Sequence, residues 1–568
     1  MFPEASAAMR NEPMVTVGAV ITAFLEQCEV KAAFGVISIH NMPILDAFAV
    51  RGNIRFVMAR GEAGAANMAD AYARASGGLG VCLTSTGTAA GNAAGALVEA
   101  LTAGTPLLHL TGQIETPYLD QELAYIHEAR DQLSMLKAVS KAAFRVRSVE
   151  TALSTLKLAV QTALTAPSGP VSVEIPIDIQ STLIPMPTDL SPLPVAVAVP
   201  AAEALDQLAE RLAQARRPLL WLGGGARHAG PQVKRLMDLG LGIITSTQGR
   251  GVVNEDDERC LGAFSQNKQV EHFLQSCDAL LIAGSRLRSN ETFKYSLKLP
   301  HNTLRIDANP AIEGRSYPSE LFVCGDAALA LEGLAERLEG CLHSDPEFLA
   351  QLKAVRATSR QQLLADLGPY SAMVEQLQAS TGRDFTWVRD VTLSNSIWGN
   401  RLLTLYHPRC GVHALGGGIG QGLAMGIGAA VAAAVNAPQR KVFTLAGDGG
   451  FILNLGELAT LVQERVNLVI LLMNDQRYGV IRNIQDAVYG SRHCYVDLHT
   501  PDYSKLAESI GLRHGLVSDL KDFGALLDRA QSEPGPFLLE VDMLSVGNFA
   551  TQFAGPPNSE TQAQKANA

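Results

Sequence analysis

Residues 441–479 read KVFTLAGDGGFILNLGELATLVQERVNLVILLMNDQRYG. The apolar run 442–446 predicts a buried strand. Gly447-Asp448-Gly449-Gly450 predicts a turn with almost no side chains. Ile452, Leu455, Leu458, Ala459 and Val462 recur at helical spacing and predict one helix face. A second apolar run, 468–473, ends in Asn474-Asp475. Strand, glycine turn, helix and strand make one crossover of a parallel sheet, with polar residues at the carboxyl ends of both strands, where ligands of such sheets sit. The glycines allow backbone N–H groups to approach a phosphate, and the helix that follows offers its positive end. Asp448 and Asp475, 27 positions apart, are oxygen donors suited to a hard cation bridging to a diphosphate. A plain tight turn is the alternative reading of the four residues, and the second polar pair weighs against it.

Outward from this stretch, the chain of 568 residues is long enough for three or four domains. With 47% hydrophobic and 18% charged residues it can bury large cores. The net charge of −10, with no basic run, argues against nucleic acid as a partner. Eight scattered cysteines lack a CxxC or zinc spacing and read as reduced thiols of a cytoplasmic protein. The first residues, MFPEASAAMRNEPM, do not read as a signal peptide. The Ala/Gly-rich run 411–438 reads as a buried helix, not a membrane span. Strand patterns at 32–36, 54–58, 80–84 and 106–111 alternate with helical patterns at 17–27, 62–76 and 88–101. That alternation predicts an α/β fold with a doubly wound parallel sheet over 1–185. The segment 181–202 holds five prolines and reads as a linker. A second α/β unit spans 203–340, with strands at 218–222, 279–283 and 304–307. Its Gly223-Gly224-Gly225 run hints at a dinucleotide, but the spacing is not GxGxxG and no acidic residue is well placed for a ribose. Residues 341–383 read as a helical connection, 384–548 as a third α/β unit, and 549–568 as a polar, mobile tail.

The 441–479 stretch resembles the thiamine diphosphate motif, GDG followed one crossover later by a pair of asparagines, with Asp475 in place of the second Asn. The chain is therefore similar to the superfamily of acetolactate synthases, benzaldehyde lyases and 2-oxo acid decarboxylases. The resemblance covers nearly the whole chain. It implies three doubly wound parallel-sheet domains: pyrimidine-binding, central and diphosphate-binding. It implies thiamine diphosphate held by Gly447, Asp448, Gly449, Gly450, Asn474, Tyr478 and Gly479, and Mg²⁺ held by Asp448, Asp475 and the carbonyl of Arg477. An Asp at 475 keeps the oxygen ligand and adds a negative charge. Ile419, in LGGGIGQG, matches the apolar wedge that bends the cofactor, with a core isoleucine as the alternative. The stretch from Arg60 to Arg74, with Glu62 near its start, is similar to the family's glutamate helix. That glutamate activates the aminopyrimidine ring, which then gives the C2 ylid; such a carboxylate is expected to be partly buried with a raised pKa. The family pairs the glutamate of one subunit with the diphosphate side of another, implying a homodimer or homotetramer.

On the substrate side, His40 matches a histidine of benzaldehyde-lyase-like and some decarboxylase-like members, and His127 takes the place of a polar glutamine. Gln113 ends another strand at the same edge. Both histidines suit proton transfer near neutral pH. The adjacent His-His pair of pyruvate decarboxylases and the Pro-Gly-Gly loop of acetolactate synthases are both missing. The implied function is a lyase or carboligase, acting through the ylid and an enamine on 2-oxo acids, 2-hydroxy ketones or diketones. A non-oxidative 2-oxo acid decarboxylase stands as the alternative. From other classes come a flavin or nicotinamide oxidoreductase built on 203–340, where FAD is possible but disfavoured, and a non-catalytic homologue, against which Glu62 and Asp448 speak.

Overall fold

The computed structural model describes residues 14–555. The expectations for the amino-terminal leader, and for the tail beyond 555, lie outside the described residues. Two compact units result: one built on the chain up to Val195, less the short segments Arg74–Gly77 and Thr165–Pro167, and one from Ala196 onward that includes those segments.

The first unit carries a six-stranded parallel sheet in the spatial order Arg55–Met58, Ala32–Gly35, Gly80–Thr84, Leu107–Gln113, Pro170–Pro176, Ala142–Arg145. Its inner strands are buried along their whole length, and their few polar residues, such as His109 and Glu174, are buried with them. The helix Val17–Gln27 starts where Thr16 accepts a bond from the Ala19 amide at 3.1 Å. The second unit carries a five-stranded parallel sheet, ordered Gly242–Thr245, Pro218–Leu222, Ala279–Ala283, Thr303–Asp307, Leu321–Cys324. It also carries a six-stranded one, ordered Gly411–His413, Phe385–Arg389, Lys441–Gly447, Leu468–Asn474, Phe537–Asp542, Arg513–Val517. The α/β class with three doubly wound parallel sheets is thus present.

Each sheet has a point where the winding reverses, and there the loops after two neighbouring strands diverge and leave a crevice. In the first sheet it lies between Ala32–Gly35 and Gly80–Thr84. In the third it lies between Phe385–Arg389 and Lys441–Gly447. In the central sheet it lies between Pro218–Leu222 and Ala279–Ala283, and there backbone fills it. The Gly225 amide donates to the Gly284 carbonyl at 3.0 Å, and a Cβ on Gly223 would stand 2.1 Å from that same oxygen. The glycine run that hinted at a dinucleotide packs backbone on backbone.

Three local expectations change. The helix after GDGG is broken: Asp448–Phe451 is one helical turn, Ile452–Asn454 a 3-10 turn, and Glu457–Glu464 the helix proper. The buried side of that last helix is Glu457, Leu458, Thr460 and Leu461, while Ala459 is exposed. The kink rotates the face that strict periodicity assigned. The GDGG turn is therefore the start of a helix, not an open loop. In the proline-rich linker, Leu183–Pro185 pairs antiparallel with Met14–Thr16, a two-stranded ribbon with no periodic signal in the sequence. The Ala/Gly run does form a buried helix, Gly422–Asn436, packed so closely that a Cβ on Gly426 would lie 2.2 Å from Thr444 Oγ1. Among the described residues no helix is long and apolar enough to cross a membrane.

Candidate active site

At the reversal point of the third sheet three carboxylates come from three adjacent strand ends: Asp390, Asp448 and Asp475. Asp390 is buried; its carboxylate accepts the Val391 amide at 2.7 Å and the Gly420 amide at 3.1 Å. Burial outweighs these donors and pushes its pKa up to about 6. Its work is to pin the 416–421 loop, whose Gly420 sits at φ 87°. The sequence offered no signal for it, since it follows an ordinary apolar strand 58 residues before Asp448.

Asp448 is 1% exposed. Its Oδ1 accepts the Asp475 amide at 3.3 Å, and its Oδ2 is buried without a hydrogen-bond partner. Asp475 lies against Gly479, where a Cβ would meet Asp475 Oδ2 at 2.5 Å. Burial first, and then the neighbouring Asp448 charge, push the Asp475 pKa up to about 8; Asp448 is also raised, by burial. Burial and mutual repulsion of the two carboxylates thus both favour a proton on the pair. Among the described residues no three His, Cys, Asp or Glu side chains group into a metal site. A cation here would need the two carboxylates, a backbone carbonyl and oxygens of its ligand.

The glycines keep the floor of this site low. A Cβ on Gly449 would lie 2.8 Å from the Tyr478 ring, and one on Gly450 2.9 Å from Asp390 Oδ2. Asn474 is turned away from the crevice: its Nδ2 donates to Glu540 at 2.7 Å and its Oδ1 accepts the Gln476 amide at 3.3 Å. Gln476 takes φ 52°, which re-aims the chain so that Arg477 pairs with Asp497 and the Tyr478 amide donates to the Val496 carbonyl at 2.8 Å. The Arg477 Nε reaches back to the Asp475 carbonyl at 2.8 Å. Ile419 is 40% exposed beside the pinned Gly420, which removes the core-residue alternative. An orphaned buried carboxylate oxygen, a second carboxylate and a glycine floor fit a cation bound to an anionic ligand.

At the reversal point of the first sheet the groups are of another kind. His40 follows the strand Ala32–Gly35, and its Nδ1 lies 3.2 Å from Ser85 Oγ, just past Gly80–Thr84. Burial and the neighbouring His127 lower the His40 pKa, against an opposing pull from Glu115. The two imidazoles meet edge to face, 5.2 Å between centroids. His127 stands at φ 68° on an exposed loop, its carbonyl lying where a Cβ on Gly87 would be 2.2 Å away. The sequence reading thus placed two histidines at one edge, and the fold brings them into contact. Glu62 opens the helix Glu62–Ser76, is half-buried, and accepts a bond from Asn92 Nδ2 at 3.1 Å.

Gln113 does not face outward. It is buried with its Oε1 3.0 Å from the Thr86 hydroxyl and 2.8 Å from the Ile114 amide, and its Nε2 3.4 Å from Glu174. Gln132 joins the same network: Oε1 accepts the Gly87 amide at 2.7 Å, and Nε2 donates to Glu174 at 2.9 Å. Glu174 bonds Arg145, which reaches Asp120 at 2.5 Å in the loop that carries His127. Thr86, Gln132, Glu174 and Arg145 were not singled out as site residues. They come from one loop and three separate elements and share no spacing.

Comparison with known proteins agrees with this geometry. Residues 15–135 match the model for the thiamine pyrophosphate enzyme N-terminal TPP binding domain, 205–334 the central domain, and 393–541 the C-terminal TPP binding domain. A probable 2-ketoarginine decarboxylase of Pseudomonas aeruginosa is 30% identical, covering 94% of this chain and 95% of that protein. The acetolactate synthase isozyme 2 large subunit of Escherichia coli is 28% identical over 91% and 94%. A probable acetolactate synthase large subunit of Methanocaldococcus jannaschii is 27% identical over 95% of each.

Proposed function

Because the chain belongs to the thiamine pyrophosphate enzyme family, and is a thiamine-diphosphate-dependent enzyme of the carboligase or decarboxylase kind, we propose how its own residues divide the work. Residues 1–185 form the pyrimidine-side domain, 203–340 the central domain and 384–548 the diphosphate-side domain. Asp448, Asp475 and the Arg477 carbonyl hold Mg²⁺, while Gly447, Gly449, Gly450, Tyr478 and Gly479 leave room for the diphosphate. Asn474 acts from behind by fixing the turn through Gln476. Ile419 supports the cofactor from the glycine loop. The bound cofactor supplies a carbon nucleophile that takes up the electrons of the broken carbon–carbon bond. Glu62 shares a proton with its pyrimidine ring and is kept in place by Asn92. His40 and His127 move protons at the substrate oxygen and carbon, and Gln113 holds the strand edge on which they meet. The observation that carries this reading is the buried, unpartnered Oδ2 of Asp448 beside Asp475 on a glycine floor.

The substrate class we assign is 2-oxo acids, 2-hydroxy ketones or diketones, with bond making and bond breaking both open to the site. The close His40–His127 pair favours a second reading, proton delivery to carbon and release of an aldehyde, which is decarboxylation of a 2-oxo acid. We assign no flavin or nicotinamide to the central domain, whose glycine run packs on Gly284. Exposed apolar side chains at both strand-end edges, such as Ile126 and Tyr495, support a homodimer or homotetramer. Eight free cysteines support a cytoplasmic location. Calorimetry should show uptake of thiamine diphosphate that depends on Mg²⁺. Mass spectrometry with a panel of 2-oxo acids and acyloins should then show an aldehyde or an acyloin product. No uptake would overturn the reading.

A further inference from the structure

Glu115 follows the strand Leu107–Gln113 by two residues, at the edge where His40 and His127 meet. It opens the short turn Thr116–Tyr118, which Asp178 holds by accepting the Thr116 amide and hydroxyl at 3.1 and 3.2 Å. The turn brings Tyr118 flat against Tyr125, 4.8 Å between ring centroids and 18° between planes. The Glu115 carboxylate beside Tyr125 raises the tyrosine pKa. One oxygen of Glu115, Oε2, is buried with no hydrogen-bond partner. Two arginines of this region are engaged elsewhere: Arg145 with Glu174 and Asp120, and Arg130 with Glu122. A buried carboxylate oxygen with no donor is destabilising, and a chain retains one where something else brings the donor.

We propose that Glu115, flanked by the Tyr118–Tyr125 pair, receives a cationic group at the far end of the substrate side chain, so that the enzyme acts on 2-oxo acids ending in a guanidinium or an ammonium. The proposal rests on the function proposed above. The histidines mark where the reacting carbonyl lies. A side chain extending from it along the loop reaches an oxygen that lacks only a donor and an aromatic face that attracts a cation. A guanidinium is the better fit, since it is planar, offers paired N–H groups and stacks on tyrosine.

The test uses 2-oxo acids with the side chains of arginine, lysine, citrulline and norleucine, with the full chain, thiamine diphosphate and Mg²⁺. Citrulline has the shape of arginine without its charge. The wild type should prefer the arginine analogue to the citrulline analogue by tenfold or more in kcat/KM. Glu115→Gln should cut that ratio about tenfold, mainly through KM, and Glu115→Asp should restore part of it. A thermal melt equal to wild type separates this from misfolding. A ratio unchanged by Glu115→Gln, or a wild type with no preference for charge, overturns the proposal. Turnover of the norleucine analogue alone sinks this inference and spares the parent reading. Turnover of none of the four, with the cofactor taken up, sinks both.

Discussion

The first and third sheets reverse their winding in the same way and furnish their crevices in opposite ways. At Asp448 the surface is backbone and glycine, with two carboxylates aimed at one place. At His40 it is built from long polar side chains, each held by another. One edge suits gripping an anion through a metal; the other suits moving protons. The central sheet has the same reversal, and there Gly223 and Gly225 pack against the backbone of Gly284. A reversal point is thus an opportunity created by topology, and the residues at the two strand ends decide its use.

The sharpest way to break this contrast is to separate grip from turnover. Glu62→Gln should lose about 10²–10⁴-fold in kcat while calorimetric uptake of thiamine diphosphate stays close to wild type. Asp448→Ala should do the reverse, abolishing Mg²⁺-dependent uptake first. If both variants lost uptake equally, the division of labour would be wrong. His40→Ala should lower kcat by about 10²-fold. Burial keeps the His40 imidazole neutral to lower pH than usual, so the acid limb of the wild-type rate profile should lie below the ordinary imidazole value and disappear in the variant.

Smaller effects sharpen the comparison. Gly87→Ala places a methyl group on the His127 carbonyl at a residue with φ 61°. It should cost about 1–3 kcal/mol, read by denaturant unfolding. Asp475→Asn tests the third sheet alone. The folded pKa of Asp475 is raised, so the folded state holds the proton longer than the unfolded chain. Without metal, stability should therefore fall as pH rises from about 4 to about 8, and the Asn variant should flatten that slope. An unchanged slope in thermal melts would show that Asp475 ionises freely.

Much of the third-sheet site was legible because its chemistry is local. An apolar run, a glycine turn and an acidic residue follow one another in the chain, and Asp475 stands one crossover later. Glu62 and the two histidines were legible only as polar residues after apolar runs, and the resemblance supplied their roles. Asp390 was silent, since its purpose is to accept the amide of Gly420, 30 positions away. Glu174 was silent as well, a carboxylate inside what reads as a plain buried strand. The helix face at 452–462 misled because strict periodicity assumes an unbroken helix, and the 3-10 turn at Ile452–Asn454 breaks it.

The order of residues by itself determined the alternation of strands and helices, and with it three parallel sheets and the strand ends where polar residues gather. Those are short-range consequences of which side chains avoid water and which backbones bend. Only the tertiary structure decided that His40 touches His127, that Asp448 keeps one oxygen unpartnered, that Gln113 turns inward and that Glu115 Oε2 goes without a donor. Each depends on a partner from a distant element, and pairing of that kind is set by packing in three dimensions, which no spacing along the chain encodes.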